Sequence, residues 1–326
     1  MTKRSFIARV LFVCGFLSTC CIPAIAQSDY PNKPVKIIVP FPPGGTTDIM
    51  ARISAEQLTK ILKQAFVIEN ISGGGGVIGA ERAAVAPADG YTLVMTGVGQ
   101  NAVAHGLDPN LKYDSLKDFA HISLIDLGPN VLVVNPDRPF KTLKDIVDFV
   151  RANPGKLDYG YTYASSGHMA MELLKLETKI FMLHVPYRGT AGYTQDLLAG
   201  ELMVGFLPVH VAQGFVKSGK LNALAVGSTK RHPVAADVPT FLELGYKDID
   251  VDLWYAFFVP TKTPTSTVSK LHADLNVIIA QPAVKDILGK AGLDASASTP
   301  EELASIVAKD YPRWGRVIQL KGITGE

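Results

Sequence analysis

Strand-like and helix-like segments alternate along almost the whole of this chain, and that alternation restricts its fold more than any other feature. The first unit displays it clearly. Val35 to Val39 is a β-branched run of the kind that forms a buried strand. The segment after it places apolar residues at Ile49, Ile53, Leu58, Ile61 and Leu62, the spacing of one helix face. Between them lies Val39-Pro40-Phe41-Pro42-Pro43-Gly44-Gly45-Thr46-Thr47-Asp48, a stiff turn followed by threonines placed to cap the helix. Phe66 to Glu69 reads as the next strand, Val77 to about Ala86 as a helix, and Tyr91 to Met95 as a third strand after the Asp89-Gly90 turn. Such a succession predicts an α/β fold, a mostly parallel sheet covered by helices.

The pattern continues in a second region. Ile122 to Leu127 and Val131 to Val134 are apolar runs separated by Gly128-Pro129-Asn130. Thr142-Leu143-Lys144-Asp145 opens a helix that ends before Asn153-Pro154-Gly155, and His168 to Glu177 reads as another. Leu157–Tyr163, Phe181–Tyr187, Leu202–Leu207 and Leu221–Val226 read as strands, with a helix ending at Gly200. Leu253 to Val259 is one more apolar run, closed by Pro260, and only helices follow it. The last is opened by Ser298-Thr299-Pro300-Glu301-Glu302, a cap, a first-turn proline and first-turn acids. A helical tail without strands of its own must pack on an existing sheet; the first lobe is the expected host, so the chain would cross twice between two lobes and form a hinged cleft. The expected division is 27–126 and 252–326 for lobe 1, and 127–251 for lobe 2.

Residues 1–26 read as a secretory signal peptide. Lys3, Arg4 and Arg9 precede an apolar run to Ile25, and Ala24-Ile25-Ala26 offers a cleavage site before Gln27. Cys20, after Leu17-Ser18-Thr19, leaves a lipidated variant open. The chain is expected to be secreted. All three cysteines, Cys14, Cys20 and Cys21, fall in that segment, so the mature chain would hold no disulfide. Removing three basic residues brings the 32 Lys and Arg just below the 30 Asp and Glu, which argues against a nucleic-acid or lipid surface. The seven histidines form no metal-ligand spacing, and neither a metal nor a cofactor is expected.

The opening turn reads either as an ordinary capped connection or as a carboxylate or phosphate cradle, because a helix start at a sheet rim presents free backbone N–H groups. It lacks both nucleotide-binding glycine signatures. Asp48 reads as a helix-start acid offsetting the dipole, and Gly73–Gly76 as a flexible or closely packed turn rather than a phosphate loop, since no lysine follows it directly. Ser165-Ser166-Gly167-His168 reads as a helix cap whose hydroxyls also face an anion. The alternative, a secreted serine hydrolase using Ser166 and His168, lacks the first glycine of a nucleophile elbow. Tyr187 offers a pocket an apolar ring and a hydroxyl, and Arg188 an anion-steering charge.

These residues resemble a known family. The opening decapeptide, Ala88-Asp89-Gly90-Tyr91-Thr92-Leu93, Asn130-Val131-Leu132-Val133-Val134-Asn135-Pro136 and Asn153-Pro154-Gly155-Lys156-Leu157 match in order. His184-Val185-Pro186-Tyr187-Arg188-Gly189 and Lys217-Ser218-Gly219-Lys220-Leu221 follow. Together they resemble the periplasmic receptors of tripartite tricarboxylate transporters, the Bug receptors, from about Tyr30 to the C-terminal helix. The resemblance implies a two-lobed, type II-like Venus-flytrap fold that holds a small carboxylate and performs no catalysis. The implied contacts are Phe41, Pro43, Gly45, Thr46 and Thr96 from lobe 1, facing Thr162, Ser165, Ser166 and Tyr187 from lobe 2. The implied partner is an integral-membrane transporter or sensor, with the receptor a monomer. This chain departs from the family at Tyr161-Thr162-Tyr163-Ala164, where a glycine-rich loop is usual, and at Phe206-Leu207, where Phe-Asp is frequent. Those departures predict a narrower or more aromatic cleft and a plain or aromatic carboxylate rather than an amino acid.

Overall fold

Strand β1 (Val35–Val39) buries every residue but Lys36, and its two flanking strands lie parallel to it. The computed structural model describes residues 30–290 and 293–324. The signal-peptide, lipidation and cysteine expectations lie outside those residues. Helix α1 (Thr46–Leu62) returns the chain to β2 (Phe66–Asn70), and α2 (Val77–Ala84) leads to β3 (Thr92–Gly97). Parallel neighbours need such crossovers, because a short turn reverses direction. A π-type turn at Gly99–Val103 and α3 (Ala104–Leu107) then lead to β4 (Phe119–Val134).

The sixteen-residue β4 belongs to both halves of the sheet. From Phe119 to Pro129 it pairs antiparallel with β9 (Asp252–Pro260), which also pairs with β3. From Asn130 onward its partners are β7 (Val204–Pro208) and β8 (Asn222–Val226). The two apolar runs expected here are thus one strand, and the break at Gly128-Pro129-Asn130 is a change of partners. Pro129 has no N–H to donate and stands at the end of one ladder, where its loss matters least. The chain returns just before Asp252, and Asn130 ties the two crossings: its Nδ2 donates to Val251 O at 3.3 Å, and its carbonyl accepts the Gly227 N–H at 2.8 Å.

The second half adds α4 (Leu143–Ala152), β5 (Asp158–Thr162), α5 (Ser166–Thr178), β6 (Leu183–Tyr187) and α6 (Thr190–Ala199). The overall strand order is β2-β1-β3-β9-β4-β7-β5-β6, with β8 on the other side of β4. Helix α7 (Val209–Lys217) follows β7 directly and has no counterpart in the sequence reading. Its valines and Gly214 are poor helix formers, and Pro208 gives it no side-chain cap.

The tail is helical, as expected. Helices α8 (Thr265–Ala280), α9 (Pro282–Lys290) and α10 (Pro300–Lys321) follow β9. Helices α8 and α10 pack on β4, and α8 also meets α1. Thr299 and Glu302 form a reciprocal capping box for α10, and Trp254 Nε1 donates to Asp310 Oδ2 at 2.8 Å. Side chains alternate across β4: Leu132 and Val134 join the main core, whereas Val131 and Val133 join a second one with Tyr193, Leu197 and Leu207. Among the described residues no helix is long and apolar enough to cross a membrane.

Candidate functional site

The turn after β1 is organised by one buried carboxylate. Asp48 Oδ2 accepts the Gly44 N–H at 2.9 Å and Arg52 Nε at 2.8 Å. Its Oδ1 accepts Arg52 Nη2 at 3.0 Å and Asn70 Nδ2 at 2.9 Å, and the Asn70 amide also reaches Phe41 O at 2.9 Å. Burial alone would push this carboxyl up. The hydrogen bonds from Arg52, Gly44 and Asn70 outweigh it and hold Asp48 below the usual range. Gly44 takes φ +84°, which a side chain would strain. Asp48 is therefore the brace of the turn.

With Asp48 serving the turn, α1 starts at Gly45 with no side-chain cap. Helix α6 starts in the same way at Gly189. The two starts face each other across a cavity of about 220 Å³ lined by Phe41, Pro42, Gly45, Thr46 and Thr47 from one half, with Tyr255 of β9. Thr162, Ser165 and the Arg188–Gly192 segment supply the other side. Two uncapped helix starts leave N–H donors and two positive dipole ends in one enclosed space. Ser165 caps α5, its Oγ accepting the His168 N–H at 3.1 Å. Thr162 Oγ1 is buried at the cavity without a hydrogen-bond partner. Arg188 is exposed at the rim. A more open chamber of about 590 Å³ adjoins the cavity, sharing Gly45, Thr46, Thr190 and Ala191 and extending along α7.

The structure thus brings together Phe41, Gly45, Thr46, Thr162 and Ser165. Four other expected contacts lie elsewhere. Pro43 is exposed on the turn. Thr96 is 1% exposed and its hydroxyl accepts Asn101 Nδ2 at 2.9 Å, so it fixes the π-type turn. Ser166 is buried in the first turn of α5 and does not line the cavity. Tyr187 donates its hydroxyl to Asp196 and packs its ring on Tyr193. Burial and that carboxylate push its phenol up.

The sequence departures also act differently from expectation. Tyr161 is buried between His168 and His184 rather than in the cavity. Tyr163 turns to the other half of the sheet, where its carbonyl stands against Gly75; a Cβ there would lie 2.1 Å from the oxygen. Leu207 is fully buried in the second core, so an acid at that position would point into apolar packing. The unanticipated lining residues include Tyr255 and the Gly189-Thr190 start. A repeated pattern marks the latter: Val-Pro-aromatic followed by Gly-Thr occurs at Val39–Thr46 and again at Val185–Thr190.

The geometry gives the hydrolase alternative no support. His168 is 2% exposed and its ring packs 4.5 Å from Tyr161. Burial pulls its pKa down to about 4, and no hydrogen bond joins it to the Ser166 hydroxyl among the described residues.

Comparison with known proteins places this arrangement. Solved structures similar to the chain include the periplasmic binding protein BugD, at 30% identity and TM-score 0.85, covering 91% of this chain and 100% of that one. A second is an R. palustris protein with adipate, at 31% identity and TM-score 0.85, with 90% and 99% covered. A third is MatC from Rhodopseudomonas palustris with bound malate, at 31% identity and TM-score 0.83, with 89% and 100% covered. The fold they share is the two-lobed periplasmic-binding fold. The family model for the tripartite tricarboxylate transporter family receptor matches residues 50–323. The chain therefore belongs to the tripartite tricarboxylate transporter family of receptors, and it is a periplasmic solute-binding receptor rather than an enzyme.

Proposed function

We propose that this receptor captures a small organic dicarboxylate between the starts of α1 and α6, closes its two lobes on it, and presents the closed form to a tripartite transporter or to a sensor. One observation carries the reading: two Gly-Thr helix starts, both without side-chain caps, meet across a cavity that also holds the unpartnered Thr162 hydroxyl. A carboxylate accepts from such N–H groups and is favoured by both dipoles. The two similar structures with adipate and malate support the same ligand chemistry. Lobe 1 is taken as 27–126 and 252–326 and lobe 2 as 127–251, acting as a monomer after removal of residues 1–26.

Closure needs tighter binding to the closed state than to the open one, and no chemistry. Thermal shift of residues 27–326 against adipate, malate, aromatic monocarboxylates and amino acids tests the assignment. Dicarboxylates should raise the melting temperature, since saturation at a hundredfold excess over Kd stabilises by about 2.7 kcal/mol. A shift with amino acids and none with dicarboxylates would refute the ligand class.

A further inference from the structure

We propose that Asp126 and His210 share a buried proton that sets the Thr46 hydroxyl as a donor toward the ligand, so that anion capture takes up one proton. The proposal deepens the ligand reading above and rests on it. Asp126, in β4, is 1% exposed, and His210, the second residue of α7, is 5% exposed. Asp126 Oδ1 accepts the Asp294 N–H at 2.9 Å. Its Oδ2 lies 3.4 Å from His210 Nδ1, off the line of a full hydrogen bond and with no other partner. On the far side of the ring, His210 Nε2 lies 3.4 Å from Thr46 Oγ1. Thr46 lines the cavity, so three side chains from β4, α7 and α1 connect a buried carboxylate to the anion site.

The direction of each bond follows from the proton count. A neutral imidazole carries one N–H. With Asp126 ionised, that N–H sits on Nδ1, and Nε2 accepts the Thr46 hydroxyl hydrogen. Thr46 then turns lone pairs to the cavity, and an uncompensated negative charge stands behind it. One proton from solvent reverses both effects. Whichever partner holds it, Nε2–H donates to Thr46 Oγ1, the hydroxyl hydrogen is freed for the ligand, and the pair becomes neutral. Only N–H and O–H positions change.

The surroundings favour the protonated pair. Burial pushes Asp126 up to about 7 against the opposing hydrogen bond from the Asp294 N–H, with the Asp294 carboxylate adding a smaller push, and burial pulls His210 down to about 3. Tyr255 of β9 faces Asp126 as an un-ionised phenol. His232 lines a third cavity with Asp126, His210 and Asp294 and disfavours charge on His210. Lys290 of α9 lines the larger chamber with His210, and its ammonium is paired with Asp286 at 2.6 Å. No cation offsets an ionised Asp126 among these groups.

Calorimetric titration with adipate or malate at pH 6 to 9, where aliphatic carboxylates are already ionised, tests the proposal. At pH 8, runs in buffers of different ionisation enthalpy should report uptake of about one proton per ligand, and Kd should rise about tenfold per pH unit above pH 7. Asp126→Asn keeps the geometry, and its amide N–H replaces the shared proton. That variant should bind with no proton uptake and hold its affinity to pH 9. Zero uptake in the wild type, or the same pH profile in both proteins, would overturn the proposal. If neither dicarboxylate binds, the ligand reading fails instead, and melting without ligand still reads the pair. A buried carboxyl with a raised pKa loses stability as pH rises through it, so Asp126→Asn should melt higher than wild type at pH 8, with the gap closing at pH 5. Equal melting at both pH values would refute the shared proton itself.

Discussion

At Gly45 a single substitution separates binding from stability. The residue has φ −80° and ψ 169°, an ordinary N-cap geometry, and an added Cβ meets only Pro42 O at 3.7 Å. Aspartate fits there and caps α1 with its own carboxylate. Gly45→Asp should therefore leave the fold intact, or steadier by a few tenths of a kcal/mol. It should also weaken dicarboxylate binding by roughly a hundredfold, because a like charge occupies the cradle. Calorimetry beside a melting curve checks both halves, and unchanged affinity would remove α1 from the site. His168 supplies a pH test. Its pKa is held down to about 4 by burial against 6.5 when free, so the unfolded chain binds more protons between those values. Stability should fall as pH drops from 6.5 to 4, by up to about 3 kcal/mol. Urea denaturation at pH 7 and 4.5 should give a smaller acid loss in His168→Gln than in wild type.

Elements differ in how plainly their sequences announce them. Helix α10 was legible because Thr299, Pro300 and Glu302 state a cap, a first turn and a reciprocal hydrogen bond in four residues. Thr299→Ala should lower stability by about 1 kcal/mol without changing Kd, since no residue of α10 lines the cavity. The start of α1 falls where the turn residues put it, but the expected threonine cap is absent: Thr46 and Thr47 lie inside the first turn, and Gly45 at the N-cap offers no side chain. Helix α7 was not: it has no capping residue, and its valines suit a strand equally well. Its omission concealed His210, and with it the role of Asp126, whose partners lie far away in the chain. The sequence marks Tyr161, Tyr163 and Leu207 as unusual and points them to the cleft, whose cavity none of them lines. Alternation along a strand decides which face a residue takes, and a register known only to within one residue sends it to the wrong one.

For the whole molecule, the proposed function lies in the meeting of two halves hung on β4 and β9. Gly75 against the Tyr163 carbonyl and Gly99 against the Ala164 carbonyl are backbone contacts between those halves, and neither tolerates a side chain. Gly75 also has φ +62°, and Ala164 holds φ +55° without being glycine, so left-handed backbone stands on both sides of this contact. Gly75→Ala should leave the cavity residues in place and obstruct closure. Affinity should fall by about tenfold or more, because the new Cβ, 2.1 Å from a backbone oxygen in this arrangement, forces the two segments apart. Equal affinity in that variant would mean that the contact is dispensable for capture. The central claim, a dicarboxylate held between two uncapped helix starts, is tested most directly by a crystal structure of residues 27–326 grown with adipate or malate. A carboxylate should lie within hydrogen-bonding distance of backbone N–H groups at Gly45–Thr47 and Gly189–Ala191; a ligand bound elsewhere, with both helix starts facing only water, would overturn that assignment.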